Sequence, residues 1–124
     1  MTTSWDPREA HALTARQEVQ VVTRRRDGSL RPATTIWIVG DAGRVFIRST
    51  NGPTAGWYRG AVANGSGQIV VAGTAYDVGF VKVADDDLPL VDRAYRAKYG
   101  RYASIVDHLQ EDEPRSATLE VRPG

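Results

Sequence analysis

Apolar positions along the chain recur mostly with a period of two, and with a helical period over a few shorter stretches. In TTIWIV (34–39), Thr35, Trp37 and Val39 alternate with Thr34, Ile36 and Ile38, which predicts a single strand with two distinct faces. EVQVVTRRR before it has the same strand character, as do RVFIRS, QIVVAG, AYDVGFVKV and SATLEVRP after it. Asp27-Gly28 supplies tight-turn residues between the first two runs and predicts a hairpin, and GDAG at 40–43 makes the next turn.

Helical signals are fewer. Ser4, followed by Asp6, Pro7 and Glu9, reads as a capped helix start, and Ala10, Ala12 and Leu13 give that helix a thin apolar side to about Ala15. A loop holding Asn51, Gly52 and Pro53 leads into a second helix that carries Trp57, Tyr58 and Arg59, closed by Asn64-Gly65 in a left-handed cap. Leu88, Val91, Tyr95 and Tyr99 repeat at helical spacing after the acidic triplet Asp85–Asp87, and Gly100 is a natural stop. Ser104 with Asp107 resembles a capping box for a last short helix. The sum is about six strands and three or four short helices in one domain spanning 1–124. Strands arriving mainly as hairpins exclude a parallel doubly wound sheet, and a small closed or partly closed barrel hides their edges. The expected class is mainly β, of α+β type.

Composition narrows the chemistry. With 41% hydrophobic and 25% charged residues in 124, the chain can build one core and a solvated surface. A net charge of +1 argues against a general nucleic-acid or membrane binder. No cysteine is present, which removes disulfides, thiolate nucleophiles and cysteine-held metals. His11 and His108 are the only histidines and share no ligand motif, so no metal site is expected. No apolar run approaches the ~20 residues of a membrane-spanning helix, and the amino terminus lacks a signal-peptide core. The expectation is a soluble cytoplasmic protein. GSGQIV leads into a strand instead of opening a helix after one, so it is not a dinucleotide fingerprint.

The stretch VFIRSTNGPTAGWYRG (45–60) carries the sharpest chemical signal. A strand delivers Arg48 and the hydroxyls of Ser49 and Thr50 to a helix start, where a guanidinium fork and free backbone N–H groups suit an anion. Gly52 permits close backbone approach, and Trp57 and Tyr58 offer an aromatic wall. On residue types alone, the competing reading gives Arg48 a surface carboxylate partner and makes Trp57 a core anchor. Arg24, Arg25 and Arg26 form the only basic run; they read first as a solvated hairpin end, with Arg24 and Arg25 as secondary anion candidates. Lys98, Arg101 and Tyr102 sit where a helix stops, placed either to meet an anionic substrate or to satisfy terminal carbonyls. Tyr76 alternates with Val78 and Phe80 and should face inward, where its phenol needs a partner; Trp37 shares that ambiguity.

The order strand–loop–helix with STNGPTAGWYRG resembles the split-barrel flavin-binding proteins, and within them the branch of deazaflavin-dependent nitroreductases. TTIWIV, VFIRSTNG, WYRGA and AYRAKYGRYASIV are similar to a small family assigned to the same superfamily. The resemblance implies a six-stranded split β-barrel of Greek-key type that pairs as a homodimer. It implies that Arg48, Ser49, Thr50, Asn51 and Gly52 hold the phosphate of FMN or a deazaflavin coenzyme, with Trp57 and Trp37 shaping the ring pocket. The activity it implies is a flavin- or deazaflavin-dependent reductase of a small organic substrate, with Tyr76, Tyr102 or Tyr58 orienting or protonating that substrate. Two alternatives use the same groove without flavin: a redox-neutral cyclase or isomerase, and a binding protein for a small anion. On any of these readings Arg48→Ala should weaken the ligand and leave the fold intact.

Overall fold

The structure is a computed structural model and describes residues 5–124. Seven antiparallel strands form one sheet: β1 (Val19–Thr23), β2 (Thr34–Ile36), β3 (Ile38–Asp41), β4 (Arg44–Arg48), β5 (Ser66–Val71), β6 (Thr74–Lys82) and β7 (Thr118–Pro123), in the order β2-β1-β5-β6-β7-β4-β3. Five α-helices accompany them: α1 (Pro7–Thr14), α2 (Gly56–Asn64), α3 (Leu88–Tyr99), α4 (Ala103–Leu109) and α5 (Asp112–Ser116).

The expected six strands become seven because TTIWIV is two strands. Thr34–Ile36 pairs with β1, whereas Ile38 onward pairs with β4, and Trp37 between them pairs with neither. These two strands are the opposite edges of the sheet, so the step through Trp37 carries the chain from one edge to the other and nearly closes the barrel. The alternation of faces survives the break. Ile36 and Ile38 enter the barrel core, while Val39 joins a second core outside it.

The interior core gathers Val21, Val45, Ile47, Ile69, Leu119 and Val121, all buried, with Leu13 of α1 and Trp57, Tyr58 and Ala61 of α2. Tyr76 packs against this cluster beside Val78 and Phe80, facing inward as the alternation predicts. The second core lies between the outer face of β3–β4 and helices α3 and α4, around Phe46, Val91, Tyr95, Tyr99 and Leu109. Each fully buried aromatic or aliphatic side chain of this kind contributes about 1.5–3 kcal/mol through removal of apolar surface from water. The two cores make β4 the most enclosed strand, with Val45 to Arg48 all buried.

Caps differ in detail from the sequence signals. Asp6, not Ser4, caps α1, accepting from the Arg8 amide at 2.9 Å, and Ser4 lies outside the described residues. Gly65 takes the left-handed cap at φ 70° as expected. Ser104 and Asp107 form no capping box: α4 begins after Tyr102 without a side-chain cap. The short α5 and a 3₁₀ turn at Gly52–Thr54 bring the helical count above the expected three or four.

Candidate functional site

The β1–β2 connection is a ten-residue excursion, not a tight hairpin. Arg24 bridges to Leu30, and the turn inside it is closed by the Arg25 amide on the Ser29 carbonyl at 2.8 Å, with Gly28 at φ 89°. The Arg31 amide donates to the Thr23 carbonyl at 2.8 Å, so the loop returns alongside the strand that launched it. Asn64, the last residue of α2, donates through Nδ2 to the Arg24 carbonyl at 2.6 Å and ties the helix to the loop. Loop and helix become the two walls of a cleft of about 560 Å³, lined by Arg24, Arg26, Arg31, Arg59, Gly56, Gly60, Ala63 and Asn64.

Four guanidinium groups and no carboxylate line this cleft. None of the four forms a salt bridge among the described residues. Arg24, Arg26 and Arg59 are exposed and Arg31 is half-buried, so the cleft presents concentrated positive charge to solvent. Arg24 is steadied by its own loop, donating from Nη1 to the Gly28 carbonyl at 2.9 Å. Behind the lining, where α2 packs on β1, the Arg31 Nε–H and the Thr23 hydroxyl are buried without a partner among the described residues. A Cβ added at Gly60 would stand 2.6 Å from Thr23 Oγ1 and 3.1 Å from Arg31 Nε, so only glycine lets α2 pack this closely on Thr23 and Arg31.

A second groove of about 390 Å³ adjoins the cleft through Arg31 and Gly56 and runs along Pro32, Ala33, Thr34, Asn51, Ala55 and Trp57. It carries an aromatic ring and backbone but no carboxylate. The pair of cavities therefore has a strongly cationic end and a flatter, largely apolar end.

The residues singled out in the sequence divide among several places. Asn51 and Trp57 line the second groove. Thr50 and Asn51 also border a separate cavity with His108, Glu111, Asp112 and Glu113, where His108 Nε2 lies 2.8 Å from the Thr50 carbonyl. Gly52 is buried at φ 74°, and its Cα faces Glu113 of α5. Ser49 is buried with its hydroxyl unpartnered among the described residues.

Arg48 is the largest departure. Its side chain is fully buried, with Nη1 2.7 Å from Asp92 Oδ1 of α3 and donating to the Leu109 carbonyl at 3.0 Å, while Nε donates to Thr118 Oγ1 at 2.7 Å. Arg115 holds the other oxygen of Asp92 at 3.1 Å. This guanidinium ties β4, β7, α3 and the end of α4 together. It lines neither of the two adjoining cavities, and the expectation that Arg48→Ala leaves the fold intact does not agree with this placement.

The tyrosines do not converge. Tyr58 hydrogen bonds to the Ser116 carbonyl at 3.4 Å, and burial raises its phenol above the usual range. Tyr76 packs edge-on to Trp5 with centroids 6.5 Å apart. Tyr102 stands beside Trp37 at 5.6 Å and reaches Gln17 Oε1 at 3.3 Å. Trp37 itself stacks on Tyr99 at 3.9 Å, nearly parallel. Arg101 donates to the same Gln17 oxygen. Lys98 donates to the carbonyls of Thr14, Arg16 and Ile38, each at 2.7 Å, and burial there pushes its ammonium down to about 8. Those carbonyls belong to α1, the segment after it and β3, not to the end of α3, and Lys98 also borders a cavity with Asp41 and Arg93. Arg25, the other secondary candidate, donates to the Leu30 carbonyl and does not line the cleft.

Sequence reasoning passed over Arg26, Arg31, Arg59 and Gly60 as a group. The RRR run and the WYRG segment were visible separately, and only the loop's return along β1 brings Arg31 between them.

Comparison with known proteins places the chain. A family model described as "Uncharacterized protein conserved in bacteria (DUF2255)" matches residues 9–121. The chain belongs to this family. No curated protein matches it significantly. Among solved structures it is similar to an F420-H2-dependent reductase, with a TM-score of 0.66 at 16% identity over 86% of this chain and 95% of that one. A Listeria innocua protein named for pyridoxamine 5'-phosphate oxidase superposes with a TM-score of 0.59 at 10% identity over 92% and 87%. A protein described as a domain-swapped dimer gives 0.65 at 16% identity over 86% and 81%. At these identities the likeness is one of fold. The DUF2255 chain shares the split-barrel fold, and the finer nitroreductase branch is not shown. No helix among the described residues is long and apolar enough to cross a membrane.

Proposed function

We propose that this DUF2255 protein is a flavin- or deazaflavin-type oxidoreductase whose cofactor lies along the two adjoining cavities. The observation that carries the reading is the run from four unpaired arginines to the Trp57 groove on a split barrel. Arg24, Arg26, Arg31 and Arg59 would hold the phosphate-bearing end, where guanidinium forks match phosphate oxygens. Asn51, Ala55 and Trp57 would border the ring. The cofactor supplies the hydride chemistry; the protein orients it and keeps water from its reactive face. That division of labour agrees with the absence of any converging acid–base set among the tyrosines. Similarity to an F420-H2-dependent reductase supports the redox class without fixing which of the two cofactors is used.

The substrate is a small organic molecule, admitted beside the ring. A homodimer belongs to the same proposal. The outer face of β1, β5 and β6, with Gln20, Gln68, Val70, Ala75, Asp77 and Val81 exposed or half-buried, carries no helix among the described residues, and a second copy would cover it. The test is an absorbance spectrum of the protein purified from cells able to make both cofactors, followed by titration with FMN and with the deazaflavin coenzyme. Saturable binding of either supports the reading. Absence of colour and of binding by both would leave the redox-neutral enzyme as the better account.

A further inference from the structure

We infer that Arg48 and Arg115 form an oxyanion site that the chain fills from within, with the Asp92 carboxylate, and so closes to an anion from solution. The inference goes beyond the cofactor reading and does not rest on it. In sequence, Arg48 at the end of a strand has the makings of an anion site; in the structure α3 already supplies the anion.

A guanidinium does not give up its proton in a protein, so a fully buried one needs a counter-charge held against it. The Arg48 side chain is 0% exposed, and Asp92, at 2.7 Å, is the carboxylate it meets among the described residues. Arg115 takes the other oxygen of the same carboxylate at 3.1 Å. Two forks from separate elements, β4 and α5, thus converge on one small carboxylate, an arrangement suited to oxyanions. Their donors outnumber what Asp92 serves. Tethered to α3, it meets Arg48 through Nη1, while Nη2 is buried without a partner among the described residues. Thr118 Oγ1 accepts from Arg48 Nε at 2.7 Å and donates to the Arg115 carbonyl at 2.8 Å, so the two arginines are joined by a contact that does not involve Asp92. The Asp92 side chain is 20% exposed and that of Arg115 30%, so the carboxylate side of the cluster meets water. A vacated site can therefore be refilled from solution. Its occupant is a planar monoanion the size of the group removed, formate or acetate.

The test uses the full chain, with Asp92→Ala to empty the site and Asp92→Asn to fill it with a neutral side chain of the same shape. Thermal midpoints are titrated with sodium formate and sodium acetate against sodium chloride at constant ionic strength near neutral pH. Asp92→Ala should melt on the order of 10 °C below the parent protein. Formate and acetate should raise its midpoint saturably and recover at least half of the loss, whereas the parent and Asp92→Asn should respond no more to them than to chloride. Adding Arg115→Ala to Asp92→Ala should weaken the rescue about tenfold in anion concentration. Should Asp92→Ala not fold in chloride, its refolding yield in acetate over chloride carries the same reading. An Asp92→Ala protein as stable as the parent, carboxylates that act no better than chloride on it, or an equal rise in the parent overturns the inference.

Discussion

At the scale of the residue, the same side-chain type serves two opposite ends. Arg48 is a buried staple, whereas Arg31 and Arg59 are gathered without a carboxylate partner among the described residues, and the difference lies in what the fold brings to each. Removing a buried charge's partner typically costs about 3–5 kcal/mol, because the remaining charge stays desolvated. Asp92 keeps Arg115 and a side-chain exposure of 20%, so Arg48→Ala should cost near the lower end of that range. Denaturant unfolding reads this directly, and an unchanged midpoint would remove the staple. The tyrosines give a second prediction. An unfolded phenol titrates near 10.0, while burial raises Tyr58 and Tyr95 above that and pushes Tyr99 up to about 12. Folding therefore favours the neutral phenols, and their contribution is complete below pH 10 and is lost as pH rises through 12. Tyrosinate absorbance should show a fraction that ionises only as the protein unfolds in that window. Ionisation of all five tyrosines near 10 with the fold intact would contradict it.

At the scale of the element, Gly60 decides whether α2 can serve as a wall of the cleft. A Cβ there would stand 2.6 Å from Thr23 Oγ1, so even Gly60→Ala must displace a buried threonine or the Arg31 side chain. Ligand affinity should fall at least fivefold, an effect of about 1 kcal/mol, whereas a helix-interior alanine elsewhere stabilises by a similar amount. A titration of this variant with FMN and the deazaflavin coenzyme that matches the parent protein would mean that the packing of α2 on Thr23 does not shape the cleft. The elements themselves were largely legible. Period-two runs gave the strands, and the left-handed cap at Gly65 and the apolar stripe of α3 fell where expected. Trp37 was not legible as a break, because alternation of faces continues across it and only the choice of pairing partner changes. The staple was hidden for a similar reason: Asp92 lies 44 residues from Arg48, and nothing local marks it as the partner. The cleft was legible in pieces. Arg24–Arg26 and Arg59 stand out in sequence, but Arg31 and Gly60 acquire meaning only when the loop folds back on β1.

At the scale of the whole molecule, a nearly closed barrel leaves the outer face of β1, β5 and β6 uncovered while α3 and α4 cover β3 and β4. The proposed homodimer uses that open face, so Val70→Glu should shift the protein toward a monomer in light-scattering chromatography. A monomeric parent protein at micromolar concentration, or a dimer indifferent to the charge, would place the contact elsewhere.

The claim on which the rest depends is that the arginine cleft and the Trp57 groove form one cofactor site. Quenching of tryptophan fluorescence by FMN and by the deazaflavin coenzyme, measured in the parent protein and in Arg59→Ala, tests it most directly. Saturable quenching by one cofactor, weakened at least tenfold in Arg59→Ala without loss of thermal stability, is the predicted result. Equal affinity in the two proteins, or no quenching by either cofactor, would contradict it.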